Sequence, residues 1–229
     1  MARGGKRVEQ PLPPPLPPAE RTVGQLVGEA IRLYGASFWK GLALGVPVVA
    51  VNALAWTAGL GAGRLALIPL SAVLLSLSYV AASAIVTGAP LRSRSAVVAY
   101  AIAVLVFLPF PLLVSVFVLP GLAWLSLFGL AVPATMAERL GLRAGLVRGY
   151  QLARADFVHV LGGLATLALI VIISQFSLYF VLREFAENTR IAAAALAALV
   201  VSPLVFLGSA ILYVDQDARL RSRGQRPKE

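Results

Sequence analysis

Residues 95–137 read SAVVAYAIAVLVFLPFPLLVSVFVLPGLAWLSLFGLAVPATMA, 43 positions without one charged side chain. A helix rises about 1.5 Å per residue, so crossing about 30 Å of hydrocarbon takes roughly 20 apolar residues. This stretch is therefore long enough for two crossings and needs a turn near its middle. Leu119-Pro120-Gly121 is the expected turn, because proline cannot continue a helix and glycine accepts turn conformations. On either side, the uncharged tracts 41–63, 65–91, 160–182 and 191–214 supply one crossing each. The chain reads as an all-α polytopic integral membrane protein with six transmembrane helices. Pro109 and Pro111 fall within the third span, where they either kink it or make a re-entrant loop.

Composition agrees. Of 229 residues, 59% are hydrophobic and 13% charged, against about 45–50% and 25% in soluble domains. The absence of cysteine excludes disulfides, thiolate metal sites and cysteine nucleophiles. The single histidine, His159, leaves no multi-histidine metal cluster, and no cofactor is implied. The net charge of +10 is spread between the apolar tracts rather than gathered in one patch, which argues against nucleic acid. No short apolar core with a cleavage site precedes residue 41, so the first span is expected to remain as an anchor.

Charge placement orients the spans. The segment before the first span, the second-to-third and fourth-to-fifth connections and the C-terminal segment hold 17 lysines and arginines. The opposite side holds only Arg64, Arg183 and Arg190. By the positive-inside rule both termini are cytoplasmic, in the inner cell membrane. Trp39, Trp56, Tyr179 and Tyr213 stand near the expected span ends as interfacial anchors.

Three regions follow: a Pro-rich cytoplasmic tail at 1–21, a membrane domain at 22–218 and a basic tail at 219–229 that is expected to be disordered. The run Pro11–Pro18 favours extended polyproline II, serving as a spacer or as a ligand for an aromatic groove. Residues 22–38 place Leu26, Ala30, Tyr34 and other apolar residues at helical spacing, and Thr22 with Gln25 fits a capping box. Residues 138–155 set Arg139, Arg143, Tyr150 and Arg154 within about a 60° arc beside an apolar stripe. Both stretches are expected as amphipathic helices in the membrane interface. At an offset of 119, Leu33, Ala36, Phe38 and Leu42 match Leu152, Ala155, Phe157 and Leu161, which suggests a repeated unit of surface helix plus two-span hairpin. A middle copy would begin near Arg92.

Several segments resemble a known family. Gly28-Glu29-Ala30-Ile31-Arg32-Leu33-Tyr34 with Phe38-Trp39 is similar to the opening of the bacterial glycerophosphoryl diester phosphodiesterase membrane-domain family. Leu119-Pro120-Gly121, the run Arg148–Arg154 with Phe157, and Leu212-Tyr213-Val214-Asp215 resemble its later segments, although Gln216 and Asp217 replace a usual leucine and arginine. The resemblance covers roughly residues 22–220. It implies the membrane architecture and not the enzyme activity, which belongs to a separate soluble domain with a histidine and carboxylates around a metal.

Candidate sites are sparse. Arg139, Arg143, Arg148 and Arg154 are candidate contacts to anionic lipid headgroups, the alternative being topology signals alone. Asn52, Ser174, Gln175 and Ser177 are the candidate polar cleft, the alternative being hydrogen bonds within or between helices. Gly41 and Gly45 allow close helix approach, within the subunit or in a homo-oligomer. Gly59, Gly61 and Gly63 read as an outer turn, and Asp156 with His159 as a weak interfacial pair. No catalytic residue is assigned. The leading expectation is a non-enzymatic scaffold, partner or lipid-organising element of the bilayer. The alternative is a small permease or lipid-handling transporter using the cleft near Asn52 and Gln175.

Overall fold

The computed structural model describes residues 17–57 and 62–224 and is all-helical among them. A 3-10 turn at Pro18–Glu20 leads into α1 (Val23–Ala36), α2 (Phe38–Ala43), α3 (Val46–Thr57), α4 (Ala62–Thr87), α5 (Arg94–Phe107) and α6 (Phe110–Val116). There follow α7 (Val118–Phe128), α8 (Ala131–Glu138), α9 (Leu142–Ala155), α10 (Phe157–Val181) and α11 (Glu187–Gly224). Six segments are long and apolar enough to cross a membrane: Phe38–Thr57, Leu65–Thr87, Arg94–Val116, Val118–Glu138, Phe157–Val181 and Glu187–Arg223. The protein is an all-α polytopic membrane protein. Most of the expected Pro-rich tail and most of the expected glycine turn lie outside the described residues.

Three spans are built from two helices each, and each break is repaired by a neighbour. At Leu44–Gly45 the chain bends before Pro47, and the Leu44 carbonyl accepts the Ser78 hydroxyl at 2.7 Å. At Leu108–Pro109 both residues stay in the right-handed helical region, so the third span is kinked rather than re-entrant. The Val106 carbonyl there accepts Trp124 Nε1–H at 2.8 Å. In the fourth span Pro133 has no N–H to offer Gly129, whose carbonyl accepts the Tyr79 hydroxyl at 2.9 Å. Where no water can reach, freed carbonyls need partners of this kind.

The turn between the third and fourth spans is not at Leu119-Pro120-Gly121. The chain reverses at Phe117, which is extended (φ −166°, ψ 150°), and Pro120-Gly121 fall in the first turn of α7. Proline is tolerated there because first-turn N–H groups have no helical partner. Gly121 is needed for packing, since a Cβ would press into Val114 at 2.5 Å across the α6–α7 hairpin.

The repeat appears in the backbone. α1 and α9 each have 14 residues and coincide at the offset of 119, and the breaks that end them, Ser37 (φ −129°, ψ 44°) and Asp156 (φ −151°, ψ 67°), are alike. Buried Leu26, Ala30 and Tyr34 of α1 correspond to buried Gly145, Gly149 and Ala153 of α9. The smaller set lets α9 sit directly against α8, where a Cβ on Gly149 would collide with the Ala131 backbone. No surface helix precedes α5, which Ser93 caps directly. The capping box at Thr22 and Gln25 forms as expected.

Other expectations change. α9 begins at Leu142 rather than at residue 138, because Arg139 is left-handed (φ 54°) and Gly141 is extended. Of the tail expected to be disordered from residue 219, the part to Gly224 is helix, the continuation of α11, and residues 225–229 lie outside the described residues. Tyr213 is buried, not an interfacial anchor, whereas Trp39 and Trp56 are exposed. Gly45 packs within the subunit, facing the Leu199 backbone of α11, and Gly41 lies under the Tyr34 ring.

Candidate functional site

Two features stand out: an ion-pair network where α1, α9 and α11 meet, and an apolar cavity lined by all six spans and open on one side. In the network, Arg21 donates from Nη1 to Asp215 Oδ1 at 3.0 Å, the Asp215 side chain being fully buried. Arg148 donates from Nε to Glu138 at 2.9 Å and from Nη2 to Asp217 at 2.8 Å. Arg221 reaches the other Asp217 oxygen at 2.6 Å, and the Tyr213 hydroxyl donates to Glu138 at 3.2 Å. Arg219 donates to Asp156 at 2.8 Å and to the Arg21 carbonyl at 2.7 Å. It also faces His159 Nε2 at 3.3 Å, so that nitrogen is the acceptor, since a guanidinium only donates. Asp156 bonds the His159 backbone N–H instead of its ring. Gln216, between the two aspartates, is fully buried with neither amide atom hydrogen-bonded. On the outer face of α1, hydrogen bonds from Arg32 hold the Glu29 carboxyl below its ordinary pKa.

These contacts sort the four expected headgroup arginines. Arg139, Arg143 and Arg154 are exposed, while Arg148 turns inward to two carboxylates. Sequence reasoning missed the network because Arg148 and Asp217 are 69 positions apart, and Arg21 and Asp215 are 194 apart. The available signal was the position of the acids. Glu138, Asp156, Asp215 and Asp217 all stand at tract ends flanked by arginine.

The cavity has a volume of about 440 Å³. Each span contributes to its wall, through Val48, Leu75, Phe107, Leu122, Val171 and Phe206 in turn. Three lining residues carry hydroxyls. Tyr79 bonds Gly129, and Ser209 bonds the Val205 carbonyl at 2.6 Å. Ser202 is buried and makes no hydrogen bond. Its behaviour differs from that of Ser76, Ser83, Ser126 and Ser174, each of which donates to the carbonyl four residues earlier.

The expected polar cleft is not assembled. Asn52 is exposed on α3, which packs on α4 and α11, whereas α10 packs chiefly on α11, α7 and α1. Ser174 bonds the Ile170 carbonyl in its own helix, Gln175 is half-buried and Ser177 is exposed. None of the four lines the central cavity. No protein-family model, curated protein or solved structure matches this chain.

Proposed function

We propose that this protein is a non-enzymatic, lipid-organising element of the cytoplasmic membrane that holds a lipid chain in its central cavity. The observation that carries the reading is the apolar cavity walled by all six spans. Water gains nothing from entering an apolar cavity of this kind, whereas hydrocarbon chains surround the protein at high concentration. The unbonded Ser202 hydroxyl offers one donor to an acceptor on the bound molecule. The arginine excess at the end bearing α1 and α9 favours a cytoplasmic orientation for that end and an anionic leaflet beside it. The resemblance to a bacterial membrane-domain family supports the same setting.

The test is native mass spectrometry of the full chain released from nanodiscs of phosphatidylethanolamine and phosphatidylglycerol. The wild-type chain should retain one lipid through delipidation, and Ala168→Phe, which fills the cavity, should lose it while keeping its helical content. No retained lipid, or equal retention by the filled variant, would reject the proposal.

A further inference from the structure

A second cavity, of about 900 Å³, lies between the α4–α5 and α8–α9 connections, and its lining is quite different. Ser93, Arg94 and Ser95 enter from one connection, and Arg139, Gly141 and Leu142 from the other. We infer that this cavity is a binding site for a phosphate group, a site independent of the lipid-chain cavity.

Charge balance is the first argument. Among the described residues no carboxylate lines the cavity. Glu138, Asp156, Asp215 and Asp217, the acids gathered where α1, α9 and α11 meet, are already paired with Arg148, Arg219, Arg21 and Arg221. Among the described residues, Arg94 and Arg139 form no ion pair. Both are exposed residues of the cavity lining with no counter-charge within the chain, so an anion entering the cavity would meet two arginines. Their forked donors match phosphate oxygens better than any other common anion except carboxylate.

The backbone supplies the second argument. Arg139 is the one non-glycine residue with positive φ among the described residues, at 54°. Its N–H and that of Leu140 both bond the Thr135 carbonyl, the helix-ending arrangement in which glycine is the favoured residue. Glycine would serve the backbone better, so the arginine side chain is the part that the cavity uses. A third contribution comes from α9, whose N-cap residue, Gly141, supplies no side-chain cap. The first N–H of α9, that of Leu142, is left as a donor at the cavity wall.

The phosphate could belong to a lipid headgroup or to a free phosphate ion, and two arms separate them. Thermal unfolding of the full chain is followed in dodecyl maltoside micelles, which carry no phosphate, either titrated with inorganic phosphate or doped with phosphatidylglycerol, at matched ionic strength. Stabilisation by the lipid alone identifies a headgroup, and stabilisation by the ion identifies free phosphate. Arg139→Gly should unfold no earlier than wild type without ligand, yet need about tenfold more of the effective probe. Arg94→Gln should weaken binding similarly, whereas Arg154→Gln, outside the cavity, should not. The proposal is overturned if neither probe stabilises the wild type, if Arg139→Gly binds as well as wild type, or if Arg154→Gln loses as much as Arg94→Gln.

Discussion

Arg148 on α9 donates to the Asp217 carboxylate on α11 at 2.8 Å, and the same guanidinium holds Glu138 at the end of α8. One side chain thus ties together the ends of the fourth and sixth spans and the surface helix between them. Replacing it with methionine keeps the stem and leaves two partly buried carboxylates facing each other. Arg148→Met should destabilise the protein by about 2 kcal/mol, because charged hydrogen bonds are lost and both acids stay desolvated. Arg154→Ala, on the exposed face of the same helix, should cost under about 0.5 kcal/mol. Thermal unfolding of both variants in one detergent checks the difference, and equal costs would mean that the pairing adds no stability.

The Arg21–Asp215 pair makes a sharper case, since the Asp215 side chain is wholly buried. Removing the cation alone strands a buried carboxylate. Arg21→Met should therefore cost about 3 kcal/mol. The double variant Arg21→Met with Asp215→Asn should recover part of that loss, because the remaining side chain is neutral. A double-mutant cycle measures the coupling. Additive losses would show that the two groups do not act as a pair.

The six crossings were legible from residues 95–137 and the four other tracts, because lipid as solvent forces long uncharged runs. Three features were less so. The reversal at Phe117 was hidden because the stronger turn signal, Pro120-Gly121, also suits the first turn of a helix. The length of α11 was hidden because its basic end looks like a solvated tail until Asp156 is brought beside Arg219. The candidate cleft failed because polar groups within spans can bond their own helix, as Ser174 does. Conversely, the repeat rested on four common residues in sequence, and the matching breaks at Ser37 and Asp156 give it geometric substance.

Gln216 is buried with no partner for either amide atom. Its polar group is desolvated for no return within the chain, so Gln216→Leu should raise stability by about 1 kcal/mol. Thermal unfolding is again the readout. A loss of stability on this substitution would indicate that the amide is bonded in the membrane-embedded protein.

Glycines on the two surface helices should respond in opposite directions. A Cβ on Gly28 of α1 meets nothing within 4 Å, so Gly28→Ala should gain up to about 1 kcal/mol from helix propensity. A Cβ on Gly149 of α9 collides with the α8 backbone, which cannot rotate away. Gly149→Ala should cost about 2 kcal/mol or more. If both changes stabilised the protein, α9 would not be seated on α8 as described.

The chain has no cysteine, so single-cysteine variants report topology without background. Glu20, Ser93 and Ser222 lie in the segments that place arginines at one end of the bundle, and Asn188 lies at the start of α11, a full span away. In inside-out vesicles, cysteines at the first three positions should react with an impermeant maleimide, and the one at Asn188 only after the membrane is opened. In right-side-out vesicles the pattern should reverse. The result follows from an even number of crossings between Glu20 and Ser93, again between Ser93 and Ser222, and an odd number between Ser93 and Asn188. Labelling of Ser93 and Asn188 from the same side would mean that α5 to α10 cross an even number of times, and the six-span arrangement would have to be abandoned.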